Sequence, residues 1–549
     1  MPDKYFSLVL HSHIPYVLEH GSWPHGMDWL YEAAAETYIP LLDICERLAA
    51  EGIPPRINVS LTPVLMAQLK DPEFVRGFVE YLRMKIGVAE RDEAGFRQTG
   101  HSLLPLTVYW GDWYRKILHD FTERFHGDIV DGFRSLQDRG QIEVLTSAAT
   151  HGYFPLLEKD ASIRQQIRQG RHVYRKYMGR EARGFWVPEC AYRPGYAWKP
   201  PFGEGQAYAR SGVDELLKEE GIGYFFVDSH LLKGGEAKGV YLDRFPGLKL
   251  LWEKSQKEYK PADEVRRDPY SGYLAHPSNL PFFVRDEVSG SQVWSRNMGY
   301  PGDGQYLEFH KKHFPGGMRY WRITSSDPDL ALKQPYDPAA AAARLDEHAS
   351  HFAGVIESAL KDKEAGVVVA LYDTELFGHW WFEGPEWLYL TIKKLARGPV
   401  RPLTAGECLE KLPPTMIISL PEGSWGQGGF HWIWLNEATA WIWKDIYRIE
   451  EAEERIRARG AGLDKRLLRQ FYREKFLLES SDWPFLVSTW TARDYAENRA
   501  AEHFSRALEI SGWLLSGRVL TPAEEILLAA YEKEDGLFEE IVLSDGTVI

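Results

Sequence analysis

Two acidic residues, Glu189 and Asp373, stand where the chain could bring a pair of carboxylates together. Each follows a short apolar run and has aromatic neighbours, in the segments WVPEC and LYDTELFGHWW. Breaking a glycosidic bond requires one carboxyl group to protonate the leaving oxygen and a second to attack, or to activate water, on the opposite face. Taken singly, each acid is more typical of a capping or ion-pairing residue, and Glu375 and Glu383 are competitors on the second segment.

A second set of residues could bind a metal ion instead. His11 and His13 occupy positions i and i+2 of one predicted strand, so their side chains point to the same face. With His151, Asp228 and His230 they would resemble the ligand set of metal-dependent amidohydrolases and deacetylases. The same histidines could also bind sugar hydroxyls and keep a carboxylate ionised without a metal. The spacing alone favours neither chemistry.

Seven short apolar runs recur through roughly the first 400 residues and would position these side chains. Longer helical or irregular segments separate them, which is typical of parallel strands with crossover connections. The runs are YFSLVL (5–10), INVSL (57–61), IEVLT (142–146), GFWVP (184–188), YFFVD (224–228), SQVWS (291–295) and GVVVALY (366–372). The candidate residues lie at the carboxyl ends of these runs, where parallel barrels carry their active sites. We therefore predict a βα barrel.

Two further regions have predominantly helical patterns. Residues 70–135 exceed a minimal crossover and predict a helical insertion within a catalytic domain that spans 1–405. Residues 406–549 predict a helical C-terminal domain. Its segment PEGSWGQGGFHWIWLN combines Trp425, Trp432 and Trp434 with several glycines, a composition suited either to a ligand-facing loop or to an interdomain packing seam.

Composition excludes several classes of partner. The net charge is −14 with both signs interspersed, so no basic stripe is available for nucleic acid. No stretch is apolar enough to span a membrane, and the N-terminal apolar run is too short for a secretory signal. The three cysteines are widely spaced, which favours a reducing cytoplasm. The 20 Trp, 28 Tyr and 26 Phe residues provide flat faces on which sugar rings stack.

Five motifs in order carry a resemblance to a known family. HSHIPYV, ATHGYFPLL, GFWVPECAYRP, ALYDTELFGHWW and PEGSWGQGG resemble the five sequence regions of glycoside hydrolase family 57, over almost the whole chain. YPGDGQYLEFH and SSDWPF are similar to the branching-enzyme group of that family. The resemblance implies an α/β fold, an incomplete seven-stranded (β/α) barrel with a helical insertion and an all-helical C-terminal domain. It also implies retaining transfer on α-1,4-glucan that forms α-1,6 branches, without a metal or other cofactor.

The resemblance also implies the roles of individual residues. Glu189 corresponds to the nucleophile and Asp373 to the general acid/base. The implied substrate-binding residues are His11, His13, Trp29, His151, Tyr241, Arg285, Trp294, Gly302, Trp425, Trp434 and Asp482. Thr491 stands where the group often has Gln, which puts that sugar contact in doubt. A 4-α-glucanotransferase or α-amylase of the same family is the nearest alternative; a metal-dependent carbohydrate deacetylase and a non-catalytic glucan-binding protein are more distant ones.

A long insertion at about residues 231–288 is rich in Lys, Gly, Asp and Pro and suggests either a lid or a loop packed on the C-terminal domain. As a lid, it would place Tyr241 over the reaction intermediate and favour a sugar acceptor over water. Replacing Tyr241 by alanine should then raise the ratio of new reducing ends to new α-1,6 linkages. An unchanged ratio would contradict the lid.

Overall fold

The computed structural model describes nearly the whole chain. The residues described are 3–202, 206–233, 251, 267–295, 299–325, 329–460 and 462–549. Most of the predicted lid, including Tyr241, lies outside these residues. Within them, every helix is too short or too polar to cross a bilayer.

Seven parallel strands form the core of the catalytic domain. Their order across the sheet is β10-β1-β2-β3-β4-β7-β9. The described strands are β1 (Asp3–Ser12), β2 (Asn58–Leu61), β3 (Glu143–Ser147), β4 (Gly184–Trp186), β5 (Tyr196–Trp198), β6 (Tyr208–Arg210), β7 (Tyr224–Val227), β8 (Tyr273–Ala275), β9 (Leu280–Val284), β10 (Ala365–Asp373), β11 (Arg401–Pro402) and β12 (Ile417–Ile418). Because the central strands are buried on both faces, they read as nearly continuous apolar runs.

The sheet curls into an open barrel. A backbone hydrogen bond from Asp286 N–H to Val369 O, 2.8 Å long, links the end of β9 to β10. Antiparallel β8 extends the sheet beyond β9, and β12 follows it. The incomplete seven-stranded barrel that the resemblance implied is therefore confirmed. The register between β1 and β10 pairs His11 with Asp373, so the polar ends of both strands meet at one edge.

The predicted sixth strand, SQVWS at 291–295, is wrong. Residues 291–294 belong to the helix Glu287–Trp294, which Ser295 follows as its C-cap, and the sixth barrel strand is β9. The helix begins where it does because the Asp286 carboxylate caps it by accepting a hydrogen bond from Ser289 N–H at 2.7 Å. The run LPFFV of β9 is buried and aromatic, although it falls within the insertion at about 231–288 whose composition predicts a lid.

Helices cover the sheet and fill the connection between β2 and β3. The helices of the barrel region are Met27–Ala33, Ile39–Ala50, Pro63–Leu69, Pro72–Thr99, Leu104–His119, Ile129–Asp138, Asp160–Met178, Val213–Glu219, Ser229–Lys233, Glu287–Trp294, Pro338–Ala359, Gly384–Leu395 and Ala405–Lys411. The longest, Pro72–Thr99, is capped at its N-terminus by Asp71, whose carboxylate accepts from Glu73 N–H, and at its C-terminus by Gly100 in the left-handed region. Its apolar stripe, which includes Phe78, packs edge-to-face on Phe121, with ring centroids 4.9 Å apart.

The C-terminal helices pack over the carboxyl ends of the barrel strands. They are Ala440–Arg459, Lys465–Leu478, Asp482–Thr489, Arg493–Ser516 and Pro522–Glu534. Hydrogen bonds join them to the barrel: Gln166 Nε2 donates to Glu479 at 2.8 Å, and Tyr447 Oη donates to Leu156 O at 2.9 Å. Arg499 also donates to Tyr16 O at 2.7 Å. These polar contacts place residues 480–482 directly over the loops that follow β3 and β4.

Candidate active site

Glu189 lies in a strained turn that follows β4. Its φ of 60° and ψ of 20° fall in the left-handed region, which is costly for a residue with a Cβ. Its backbone carbonyl accepts a hydrogen bond from Trp425 N–H at 3.0 Å. The segment PEGSWGQGGFHWIWLN (421–436), called the glycine-rich loop below, therefore helps to hold the turn. This conformation presents the carboxylate at the open end of the barrel rather than within the strand layer.

Two donors from outside the barrel hold the Glu189 carboxylate. Trp425 Nε1–H donates to Oε2 at 2.8 Å, and Ser481 Oγ–H donates to Oε1 at 3.1 Å. Burial raises the pKa of Glu189 to about 8, and the negative charges of Asp373 and Asp482 add to that effect, while both donors lower it. Since an attacking carboxylate must be ionised, Trp425 and Ser481 favour the reactive form.

Asp373 ends β10 and faces the same space. Its negative charge contributes to the raised pKa of Glu189, and it lies opposite His11 in the sheet register. The turn that follows is fixed by a 2.7 Å hydrogen bond between the hydroxyls of Ser12 and Thr374. The structure therefore brings together the two carboxylates that the sequence singled out.

Three histidines lie beside Glu189 with nearly parallel rings. The ring centroids of His13 and His151 are 4.1 Å apart, those of His11 and His151 are 4.9 Å apart, and Trp186 stacks on His11 at 4.4 Å. Burial lowers the pKa of His11 and of His151 well below the usual range, and each is lowered further by its neighbouring histidines. These two rings are therefore neutral at physiological pH.

Asp482 completes this cluster from the start of a C-terminal helix. Its Oδ2 lies 2.8 Å from His13 Nε2 and also accepts from the Ser480 hydroxyl. Burial raises the pKa of Asp482, but His13, together with His151 and the Ser480 hydroxyl, more than offsets burial and leaves the pKa below its usual range. His13, His151 and Asp482 offer atoms within 4.8 Å of one another, a spacing that could hold a metal ion. His13 Nε2 is bonded to Asp482 and His151 Nε2 to His11.

The other members of the alternative metal set lie in a different network. Asp228 is paired with Arg285 at 2.5 Å and with His230 Nδ1 at 2.9 Å, and His230 Nε2 donates to Gly429 O at 2.9 Å. Burial raises the pKa of Asp228, but Arg285 and His230 more than offset it. This network ties the end of β7 to the glycine-rich loop, so Asp228 and His230 orient Arg285 and the loop instead of extending the histidine cluster.

The implied tryptophans differ in how close they lie to Glu189. Trp425 touches Glu189, and Trp294 lies beside it with ring centroids 6.2 Å apart. Trp434 is 1% exposed and stacks on Tyr153 at 4.5 Å, so it packs behind the loop. A side chain at Gly426 would meet the Trp434 ring at 2.7 Å, which explains the glycine there.

The contacts described for Trp29, Gly302 and Thr491 are with residues other than the two acids. Trp29 lies 5.7 Å from the Tyr495 ring, and Gly302 ends the short helix Tyr300–Gly302. The Thr491 hydroxyl is hydrogen-bonded to Thr489 at 2.8 Å.

The competing acids Glu375 and Glu383 are held by the scaffold. Glu375 accepts from His13 N–H at 3.1 Å and from the Tyr38 hydroxyl, and Glu383 accepts from Leu307 N–H at 2.9 Å. Burial raises the pKa of each to about 7. These hydrogen bonds hold the backbone of His13 and of Leu307 and the ring of Tyr38 in place.

Sequence reasoning missed the serine that touches Glu189. Ser481 adjoins Asp482 in the motif SSDWPF, which drew attention only through its acidic residue. A hydroxyl beside an implied binding residue was the available signal. Ser60 and Thr62, which bond to His11 and His13 at 3.1 Å each, were missed in the same way.

Replacing Trp425 by phenylalanine should reduce kcat/KM by about tenfold to a hundredfold, because a hydrogen bond to a charged group is lost. That bond lowers the pKa of Glu189, so its removal should move the acidic limb of the pH profile to higher pH. The pH dependence of kcat/KM measures both effects. Trp443→Phe, which loses a buried N–H bond to Trp434 O, is the matched control and should leave the limb in place.

Family models match two parts of the chain. Residues 7–421 match the model of glycosyl hydrolase family 57, and residues 444–545 match the model of the C-terminal part of 1,4-alpha-glucan branching enzymes. A 1,4-alpha-glucan branching enzyme of Thermococcus kodakarensis is 40% identical over 548 residues, which are 98% of this chain and 78% of that protein.

Solved structures agree with these matches. The crystal structure of the Thermococcus kodakarensis enzyme, a GH57 branching enzyme, superposes with a TM-score of 0.88 and covers 97% of this chain and 95% of that one. A GH57-type branching enzyme from Pyrococcus horikoshii is 38% identical, with a TM-score of 0.85 and coverages of 97% and 95%. The alpha-amylase AmyC of Thermotoga maritima is 30% identical, with a TM-score of 0.79 and coverages of 98% and 98%.

Proposed function

Because this chain belongs to glycosyl hydrolase family 57, we infer that it is a 1,4-alpha-glucan branching enzyme, which moves a segment of α-1,4-glucan to form an α-1,6 branch. The observation that carries this inference is the branching-enzyme C-terminal match at residues 444–545, together with 40% identity to a branching enzyme over nearly the full chain. The same C-terminal region supplies Ser481 and Asp482 to the cleft.

The reaction we propose uses Glu189 as nucleophile and Asp373 as general acid/base. Glu189 attacks the anomeric carbon of an α-1,4-linked glucose while Asp373 transfers its proton to the departing O4, which gives a β-linked glycosyl-enzyme. Asp373 then takes the proton from the 6-hydroxyl of an acceptor glucan. That oxygen attacks the anomeric carbon, Glu189 departs as a carboxylate, and an α-1,6 linkage results.

The surroundings of the two acids support these roles. Glu189 has two donors that favour its ionised form, as an attacking group requires. Asp373 stands at the end of a barrel strand, where it can face the leaving oxygen. The three cysteines are buried free thiols, which supports action in the cytoplasm.

The test of the function is the linkage that forms. Incubation with linear amylose should produce α-1,6 signals in the anomeric region of the proton NMR spectrum, and isoamylase should then release linear chains. A chelator should leave the rate unchanged, since no step uses a metal. New α-1,4 chains of altered length without α-1,6 signals would show disproportionation instead, and reducing ends alone would show hydrolysis.

A further inference from the structure

A chain of hydrogen bonds runs from β2 through two histidines to the Glu189 carboxylate. The contacts are Ser60 Oγ to His11 Nδ1 at 3.1 Å, His11 Nε2 to His151 Nε2 at 2.9 Å, and His151 Nδ1 to Ser481 Oγ at 2.8 Å. Ser481 Oγ then reaches Glu189 Oε1 at 3.1 Å. Every member except Glu189 is buried, so the chain is closed to exchange with bulk water along most of its length.

The direction of every hydrogen in this chain follows from its last member. In its ionised form, which is the attacking form and prevails above its pKa of about 8, Glu189 can only accept, so the single hydroxyl hydrogen of Ser481 then points at it. Ser481 Oγ must then accept from His151 Nδ1–H. Since burial keeps His151 neutral, its Nε2 carries a lone pair and accepts from the other histidine.

The donor and acceptor roles of His11 and Ser60 follow by the same reasoning. His11 donates through Nε2–H, and because it too is neutral, its Nδ1 accepts from the Ser60 hydroxyl. The two histidines thus hold opposite tautomers, each fixed by the hydrogen bond at its other nitrogen. Reversing one hydrogen reverses all of them, so the chain has two orientations, and only one of them points a donor at Glu189.

We propose that Ser481, oriented by His151 and His11, is a positioning residue that holds the Glu189 carboxylate in place and favours its ionised form. This deepens the proposed function and rests on Glu189 being the nucleophile. A donor fixed in advance raises the fraction of enzyme whose carboxylate is ionised before attack, and it stabilises the carboxylate that re-forms as the glycosyl group leaves. The orientation of Ser481 costs no rearrangement during the reaction.

The backbone reinforces this arrangement. His151 and Glu189 both have φ near 60°, at 61° and 60°, and both carbonyls accept from the C-terminal region: His151 O from Ser481 N–H at 3.1 Å and Glu189 O from Trp425 N–H at 3.0 Å. The side chains that face Glu189 are Trp425, Ser481, His151, Asp373 and Asp482. Of these, Trp425 and Ser481 donate to it. Without Ser481, only Trp425 remains as a donor to offset the effect by which Asp373 and Asp482 raise the pKa of Glu189.

A direct test reads the tautomers in the full-length protein labelled with ¹⁵N-histidine. Above pH 8, where Glu189 is ionised, long-range ¹H–¹⁵N spectra should show neutral His151 as the Nδ1–H form and neutral His11 as the Nε2–H form, with signals assigned by His11→Gln and His151→Gln. In Glu189→Gln the amide oxygen accepts from Trp425, so the amide NH₂ faces Ser481. Both tautomers should then reverse. Glu383→Gln, a buried glutamate outside the cluster, should leave them unchanged.

A kinetic test uses the rate of α-1,4 bond cleavage, whichever acceptor is used. Ser481→Ala should lower kcat by about tenfold to a hundredfold and move the acidic limb of the pH profile to higher pH, while Ser481→Thr restores both. Ser511→Ala, which loses another buried hydroxyl bond, to Leu508 O, is the matched control. A loss equal at every pH, or Thr as poor as Ala, would overturn the proposal.

The two tests also separate this proposal from the function itself. Identical tautomers in wild type and Glu189→Gln would overturn the oriented chain even in an active branching enzyme. Conversely, wild type that forms no α-1,6 linkage would refute the branching function while the tautomers still report on the chain. The spectra of wild type and Glu189→Gln test the orientation of the hydrogen-bond chain even if Ser481→Ala does not fold.

Discussion

Glu189→Gln should lower the rate of glucan transfer by about ten-thousandfold or more, because an amide cannot form the glycosyl-enzyme. Glutamine keeps the shape of the side chain and can still accept from Trp425 Nε1–H, so substrate binding and stability should change little. The measurement is the first-order loss of iodine-stained amylose together with the appearance of α-1,6 NMR signals. Binding of maltoheptaose by calorimetry shows whether the loss lies in chemistry or in affinity.

Glu383→Gln is the matched control for that experiment. Glu383 is a buried glutamate of the same segment as Asp373, and it accepts from Leu307 N–H, which the glutamine oxygen can also do. Since burial raises the pKa of Glu383 to about 7, a neutral isostere should replace it at little cost. Near-normal activity is therefore expected. Retention of full activity by Glu189→Gln would refute the nucleophile assignment.

The sequence was sufficient for most of the barrel because its strands are buried on both faces. Runs such as YFSLVL and GVVVALY are continuously apolar, as strands buried on both faces require, and they form the paired strands β1 and β10. The sixth strand was missed because two signals conflicted. LPFFV follows a polar stretch and begins near a proline, whereas SQVWS has β-forming residues but follows the helix cap Asp286.

The site was predicted less completely than the barrel, and for a physical reason. Position after a strand places Glu189 and Asp373 at one edge, since the carboxyl ends of parallel strands converge. No such rule places Ser481, because its approach to Glu189 depends on how the C-terminal helices pack over the barrel. The same packing buries Trp434 behind the glycine-rich loop, which composition alone cannot reveal.

The C-terminal domain therefore has more than a covering role in this structure. It donates both hydrogen bonds to the Glu189 carboxylate, through Trp425 and Ser481, and it supplies Asp482 to His13. Removing it would leave the barrel with both acids but without the groups that favour an ionised Glu189. We accordingly expect the barrel residues alone to be insufficient for transfer.

Asp373→Ala should slow transfer from amylose by about a hundredfold to ten-thousandfold, the usual contribution of general acid–base catalysis. The glucan O4 leaves poorly without a proton. α-Maltosyl fluoride, whose fluoride leaves with little assistance, should still react with Glu189, and the glycosyl-enzyme should then accumulate because no base activates the acceptor. Intact-protein mass spectrometry would detect the added maltosyl group.

Azide then distinguishes the roles of the two carboxylates. It needs no base, so in Asp373→Ala it should attack the β-linked glycosyl-enzyme and give α-maltosyl azide. In Glu189→Ala no intermediate forms, so azide should displace fluoride directly from the vacated face and give the β-anomer. The anomeric coupling constant in the NMR spectrum separates the two products. The same anomer from both variants would contradict the assignment of nucleophile and acid/base, because two inversions and one inversion cannot lead to the same configuration.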